Sequence, residues 1–135
     1  MFLSVREEDD HDYEAWAFDC APDKLAQLVQ QGIKQATASF YDGEDQLPKV
    51  GTISIILSST GEPVCAIRTQ SITILPFSKV TKEMAKIEGE GDGSLKYWRK
   101  VHRIYFQEEA EKRGLQFREN MRIVFETFEL CEPKN

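Results

Sequence analysis

A predicted β-hairpin in the middle of the chain constrains the fold more than any other stretch. Apolar side chains recur at positions 53, 55 and 57, which is the alternation of a half-buried strand. A Thr-Gly-Glu-Pro sequence at 60–63 predicts a turn, and the β-branched run at 64–75 predicts a second strand that is long enough to bend or carry a bulge. A chain with this hairpin at its centre must build an antiparallel sheet.

The segments around this hairpin predict helices and two further strands. Pro22 opens a helix at 22–31 that stops at Gly32, and Thr81 and Ser94 are N-caps for a short helix and for a long helix that ends near residue 113. Short strands are predicted at 36–40 and 122–130. Antiparallel strands with interspersed helices indicate an α+β fold, and strands this few and short favour a small β-barrel.

Length and composition predict one soluble domain over residues 1–135, since 135 residues form one core but not two. Residues 1–18 form an acidic N-terminal extension that we expect to pack on the domain, because Trp16 and Phe18 alternate within it. No apolar run approaches the roughly 20 residues of a membrane span, and the acidic N-terminus does not resemble a signal peptide. We therefore expect a cytoplasmic protein with no membrane contact.

Cysteine and histidine usage argues against a metal centre. The three cysteines (Cys20, Cys65 and Cys131) are far apart, which predicts buried, reduced thiols rather than a disulfide or zinc site. Two histidines are too few for a histidine cluster. No metal, no cofactor and no protein partner are predicted.

The net charge of −6 limits any role with nucleic acids. Non-specific binding neutralises phosphates and needs a broadly basic surface, which this chain lacks. Any nucleic-acid role must use a local basic patch or a small ligand such as a nucleoside. The stripe of Lys96, Arg99, Lys100 and Arg103 on the long helix is such a patch, although an ordinary solvated helix face explains it equally well.

Two short segments carry residues that are capable of hydrolytic chemistry. Lys34 and Thr37 lie where the first helix gives way to a strand, and the run from Glu88 to Gly93 alternates acids with glycines. A threonine hydroxyl needs a neighbouring base to become a nucleophile, and a desolvated lysine can be that base. Each segment also has an ordinary interpretation: a solvated lysine and threonine, and an acidic turn. His102 fits the edge of the core, with Trp98 on the same helix face.

Three motifs together resemble the ASCH domain, and more narrowly its bacterial stand-alone branch. They are Gly32-x-Lys34-x-Ala36-Thr37-x-Ser39, Leu47-Pro48-Lys49-Val50-Gly51, and the acidic–glycine run that leads into Ser94-Leu95-x-Tyr97-Trp98-Arg99-x-x-His102. ASCH domains are similar to PUA domains. The resemblance implies a small PUA-like β-barrel with flanking helices and a cleft for RNA or a nucleotide-like ligand.

The resemblance also implies candidate activities. Some short members are amidohydrolases that remove the acyl group from N(4)-acetylcytidine, which assigns catalysis to Lys34, Thr37 and Glu88. The ligand-binding residues that we expect are Ser39, Glu90, Asp92, Trp98, Arg99 and Arg103. Ser39 stands where the amidohydrolases carry arginine, so the substrate can differ. The alternatives are an RNA- or nucleotide-binding module without catalysis and a metal-dependent ribonuclease with its ion at Glu90 or Asp92.

Overall fold

The computed structural model describes residues 13–41, 43 and 47–131, which form five strands and three α-helices. In chain order the elements are β1 (Tyr13–Trp16), α1 (Pro22–Gln30), β2 (Ala36–Phe40), β3 (Ile53–Leu57), β4 (Pro63–Pro76), a 3-10 turn (Phe77–Lys79), α2 (Lys82–Glu88), α3 (Leu95–Lys112) and β5 (Arg122–Leu130). The predicted α+β class is confirmed. Residues 1–12 of the predicted N-terminal extension lie outside the described residues.

The five strands form one sheet in the order β1-β3-β4-β5-β2. β1 runs parallel to β3, and the other three pairings are antiparallel. The short strands β1 and β2 occupy the two edges and do not pair with each other, so the sheet is not closed into a hydrogen-bonded barrel. The flanking helices agree with the prediction.

The hairpin predicted from the sequence is confirmed as β3 and β4. The backbone N–H of Ser58 donates to the carbonyl of Glu62 at 2.8 Å, which closes the turn between them. Register shifts occur at Ile56/Leu57 and between Thr69 and Ser71. The 14-residue β4 pairs with β3 through its first half and with β5 over most of its length, so the expected irregularity lies where it changes neighbours.

Two apolar cores form because alternate strand residues point to opposite faces of the sheet. One core is covered by α2 and α3 and contains Phe40, Phe77, Trp98, Phe106 and Ile123. The other is covered by α1 and contains Phe18, Ala26, Val29, Ile56, Ile67 and Phe128. In the described part of the chain, no helix is long and apolar enough to cross a membrane.

Helix starts follow local sequence signals. The Thr81 Oγ1 accepts a hydrogen bond from the Met84 N–H, and the Ser94 Oγ accepts one from the Tyr97 N–H, so both predicted N-caps are confirmed. α1 begins at Pro22 without a side-chain cap. Instead, the Asp23 carboxylate in its first turn accepts hydrogen bonds from the N–H and Oγ of Ser59, which ties α1 to the hairpin turn.

The cysteines are only partly as expected. None of the three forms a disulfide in the described structure, and Cys65 is buried, but Cys131 is half-buried and Cys20 is exposed. The prediction of three buried thiols is therefore wrong for Cys20, which lies in the connection between β1 and α1, outside either core.

Candidate functional site

Lys34 lies completely buried at the junction of three elements. It follows Gly32, whose φ of +80° ends α1, and the N–H of Lys34 donates to the carbonyl of Leu28. The next residue, Gln35, donates its N–H to the carbonyl of Ile87 at the end of α2. Lys34 is consequently fixed between α1, β2 and α2, and only 1% of its surface is exposed.

The ammonium group of Lys34 has three oxygen acceptors. Nζ lies 3.1 Å from Oε2 of Glu88, 3.3 Å from the Glu88 carbonyl and 2.7 Å from Oε2 of Glu90. It also lies 5.5 Å from the centroid of the Phe18 ring. Because an ammonium group carries three hydrogens, these contacts use its whole donor capacity.

Glu88 lies at the centre of a buried cluster that also contains Lys34, Glu90, Trp98 and His102. Only 1% of the Glu88 surface is exposed. Its Oε1 accepts a 2.5 Å hydrogen bond from the Trp98 Nε1, and its Oε2, which faces Lys34, also lies 3.3 Å from the His102 Nε2. Burial acts to raise the pKa of Glu88, but the charge of Lys34 and the hydrogen bonds from His102 and Trp98 outweigh it and hold the pKa far below its usual range. The carboxylate is therefore ionised.

Helix α3 supplies Trp98 and His102 from adjacent turns. Their rings stack with centroids 4.1 Å apart and planes inclined by 11°. The His102 Nδ1 lies 3.0 Å from the Trp98 carbonyl and its Nε2 lies 3.3 Å from the Glu88 carboxylate. Both oxygens can only accept, so each contact is a hydrogen bond when that ring nitrogen carries a hydrogen. Sequence reasoning placed His102 at the core edge and missed its contact with Glu88; its four-residue spacing from Trp98 was the available signal.

The glycines explain why the acidic run can pack against Lys34. Gly89 has a φ of +73°, and a Cβ there would lie 2.4 Å from the carbonyl oxygen of Ile33. The acids then point in different directions: Glu88 is buried, Glu90 is half-buried, and the exposed Asp92 accepts a hydrogen bond from the N–H of Ser94. Because Glu88 is buried, the run is not simply a solvated acidic turn, which was its ordinary interpretation.

Thr37 is half-buried on β2 and faces a second carboxylate. It is the cross-strand partner of Glu126, which is 7% exposed and accepts a 2.6 Å hydrogen bond from the Thr69 Oγ1. Burial raises the pKa of Glu126, and the nearby charge of Glu14 raises it further, against the opposing effect of Thr69. No hydrogen bond joins the Thr37 side chain to Lys34 in the described structure.

A cavity of about 420 Å³ is lined by Ser39, which lies two residues after Thr37 on β2. Its polar lining comes from Ser39 on β2, from Asp19 after β1, and from Tyr105, Glu109 and Arg113 at the end of α3. Asp19 and Tyr105 were not identified from the sequence, because 86 positions separate them and no local pattern links them. Ser39, predicted to bind ligand, lies in the cavity wall.

The remaining predicted ligand-binding residues are dispersed. Trp98 and Glu90 belong to the buried cluster, whereas Asp92 lies outside it. Arg99 donates to the carbonyls of Ser78 and Val80 at 3.3 and 3.1 Å. Arg103 pairs with Glu119 at 2.7 Å. Both arginines thus hold neighbouring parts of the protein, and in the predicted basic stripe Lys96 and Lys100 are the exposed members.

The acceptor geometry of the cluster also bears on metal binding. Ligand atoms of Glu88, Glu90 and His102 lie within 4.8 Å of one another. However, the ammonium of Lys34 already contacts both carboxylates. A divalent ion at the same position would be repelled by that charge, so these residues fit a cluster that contains a lysine better than they fit a metal centre.

Known proteins with similar sequences and structures identify the family of this chain. A family model described as the ASCH domain matches residues 14–132. The solved structure of an ASCH domain from Lactobacillus crispatus has 31% identity and a TM-score of 0.85, with 90% of this chain and 81% of that chain covered. A protein from Enterococcus faecalis has 36% identity and a TM-score of 0.80, with 88% and 76% covered.

A more distant structural match shows the fold alone. It is a protein from Pyrococcus furiosus with 19% identity and a TM-score of 0.53, and the match covers 90% of this chain and 99% of that one. Among proteins of curated function, none matches the chain.

Proposed function

This chain belongs to the ASCH domain family, and we propose that it hydrolyses the amide bond of an N(4)-acylated cytidine to give cytidine and the free acid. The family is PUA-like and associated with RNA binding. The observation that carries the proposal is the buried ion pair between Lys34 and Glu88 beside the Gly-x-Lys-x-x-Thr segment.

The buried charges favour a working site over a purely structural one. Removing an ammonium and a carboxylate from water costs several kcal/mol per ion in free energy before their attraction is counted. An apolar pair of similar volume would stabilise the fold as well. Titratable groups with strongly perturbed environments concentrate at functional sites. Glu88 is such a group, because its pKa is held far below its usual range, and only two residues along the chain separate Lys34 from Thr37.

In the proposed reaction Thr37 is the nucleophile and Lys34 is the base. Lys34 must first lose one proton, and Glu90 is the acceptor through which that proton reaches solvent, because it is 2.7 Å from Nζ and only partly buried. The neutral amine then takes the hydroxyl proton of Thr37 as Oγ attacks the acyl carbonyl carbon.

Lys34 and Thr37 also take part in the release of the two products. The bond from the acyl carbon to N4 breaks as Lys34 returns the proton to that nitrogen, so cytidine leaves and the acyl group stays on Thr37 Oγ. Water then attacks the ester, breaks the bond to Oγ and releases the carboxylic acid. Glu88 orients Lys34 and stabilises its charged form throughout.

The direct test is release of cytidine from N(4)-acetylcytidine by wild type and a Thr37→Val variant. We expect turnover by wild type and a loss of more than about a thousandfold in kcat for the variant, since the nucleophile is absent. Thr73→Val is the matched control, because Thr73 is exposed on β4 and is expected to leave the rate unchanged. Equal rates for the two variants, or a wild type without turnover, would contradict the proposal.

A binding module without catalysis is the second candidate. It is favoured by the saturated hydrogen bonding of the Lys34 ammonium and by the lack of a hydrogen bond from Thr37 to that group in the described residues. On this alternative, cytidine and its acylated form bind equally well and are recovered unchanged. Titration of both ligands, followed by chromatography of the mixture, separates the two functions.

A further inference from the structure

The 420 Å³ cavity between β2 and the end of α3 is not lined by Lys34, Thr37 or Glu88, but it reaches the strand that carries Thr37. Ser39 in its wall is two residues after Thr37, so both side chains lie on the same face of β2 and their Cα atoms are about 7 Å apart. Asp19, also in the wall, directly follows Phe18, whose ring contacts the Lys34 ammonium. Two separate segments thus connect the cavity to Lys34 and Thr37.

The cavity contains a carboxylate with room for further hydrogen bonds. Tyr105 donates its hydroxyl to Oδ2 of Asp19 at 3.0 Å, and in the described residues this is the one side-chain hydrogen bond of Asp19. Burial, together with the hydrogen bond to Asp19, raises the pKa of Tyr105, so the phenol remains a neutral donor. Asp19 is exposed, and its other lone pairs can accept from a ligand that carries hydroxyl groups.

The charge of the wall indicates what kind of ligand enters. Two carboxylates, from Asp19 and Glu109, stand against one guanidinium, that of Arg113, which lies 5.0 Å from the Phe40 ring centroid. The chain as a whole carries a net charge of −6. Both features disfavour a phosphate group and favour an uncharged polyol. A volume of this size also falls in the range of small-molecule sites, about 300–1,000 Å³.

We propose that this cavity binds the ribose of a free ribonucleoside, with Asp19 accepting hydrogen bonds from its two vicinal hydroxyl groups. Tyr105 is a positioning residue that orients Asp19. The inference rests on the proposed function, which places the base beside Thr37, and it adds the residues that bind the ribose of that substrate.

Calorimetric titration of the wild-type protein with cytidine, 2′-deoxycytidine and cytidine 5′-monophosphate tests this assignment. We expect cytidine to bind about tenfold tighter than 2′-deoxycytidine, because a hydrogen bond to a charged group is lost. The monophosphate should also bind more weakly than cytidine. Asp19→Asn should weaken cytidine binding and shrink the difference between the two nucleosides.

Two tyrosine variants on α3 complete the design. Tyr105→Phe should reduce the preference for cytidine, whereas Tyr97→Phe, at an exposed tyrosine on the same helix, should not. Equal affinity for cytidine and 2′-deoxycytidine, tighter binding of the monophosphate, or no cytidine binding would overturn the assignment. Binding is measured without turnover, so an inactive protein that still prefers ribose refutes the hydrolase alone, and an active protein without this preference refutes the ribose site alone.

Discussion

Lys34 is the residue on which the buried cluster depends most directly. Its ammonium group is the nearest positive charge to both Glu88 and Glu90. Because Glu88 is buried, removal of the ammonium would leave an ionised carboxylate without compensation in a low-dielectric environment. Stability and reactivity are therefore coupled at this position, and tests of function must separate the two.

The first prediction concerns the stability of a Lys34→Met variant. Leaving Glu88 without its charge partner should lower the free energy of unfolding by about 3–5 kcal/mol. Urea unfolding followed by circular dichroism measures the change. Lys100→Met, at an exposed lysine on α3, is the matched control and should change stability by less than about 0.5 kcal/mol. A Lys34→Met protein as stable as this control would show that the buried pair contributes little.

The second prediction concerns acid unfolding. The pKa of Glu88 is depressed in the folded protein relative to its ordinary value of 4.5, so between the two values the unfolded chain binds more protons. The stabilisation is therefore present above about pH 4.5 and is lost as the pH falls further. Urea unfolding at a series of pH values should show a steep loss below that point for wild type and a shallower one for Glu88→Gln.

Glu126 is a control for this experiment, because its pKa is shifted in the opposite direction to that of Glu88. Its pKa is raised in the folded protein, so its contribution is present below the ordinary value of 4.5 and is lost as the pH rises through the folded pKa. Glu126→Gln should therefore flatten the curve on the neutral side instead. Identical pH curves for the two variants would contradict both assignments.

At the scale of elements, the loop after α2 determines how the acids meet Lys34. Gly89 and Gly93 both have positive φ, +73° and +76°, but only a Cβ at Gly89 would collide with backbone, since nothing lies within 4 Å of the Gly93 position. The loop thus needs glycine at 89 for close approach as well as for conformation.

The third prediction compares alanine at these two glycines. Both substitutions should cost about 1–2 kcal/mol for the left-handed backbone. Gly89→Ala should cost about 1–3 kcal/mol more, because the added methyl group displaces the loop from Ile33. Thermal unfolding of both variants measures the difference. Equal destabilisation would mean that the loop shifts without cost.

Local signals predicted most elements, whereas pairing required the three-dimensional structure. The N-caps Thr81 and Ser94, the hairpin, and the strands at 36–40 and 122–130 follow from residue types a few positions apart. β1 was not predicted, because four residues with little periodicity acquire their strand geometry only by parallel pairing with β3. For the same reason the sequence did not show that β1 and β2 would be the two edge strands and would not pair with each other.

In the candidate site, too, local motifs predicted individual residues, whereas contacts between distant segments required the structure. The motif pointed to Lys34 and Glu88, and the structure places them in contact. The sequence could not show that Arg99 and Arg103 are engaged by carbonyls and by Glu119, since those partners lie 16 to 21 positions away in irregular segments. Contacts between distant segments are set by packing, which no local pattern encodes.

For the whole molecule, the net charge of −6 and the engaged arginines argue against tight RNA binding. We expect weak affinity for a single-stranded RNA at physiological salt, with a slope of log K against log salt that corresponds to about two phosphate contacts or fewer. Fluorescence anisotropy across a salt series measures it. Lys96→Ala combined with Lys100→Ala should remove most of that slope. A steep slope, or tight binding that depends on Arg99, would favour the binding module.

The most direct test of the central claim separates the reactive role of the buried pair from its structural role. In a Lys34→Met, Glu88→Gln double variant, the buried pair carries no charge and a neutral amide oxygen still accepts from Trp98. Glu90 loses its Lys34 partner but is only half-buried. We predict a free energy of unfolding within about 2 kcal/mol of wild type. Release of cytidine from N(4)-acetylcytidine should fall by more than about a thousandfold. A folded double variant that retains turnover would contradict the claim that Lys34 and Glu88 form the reaction centre.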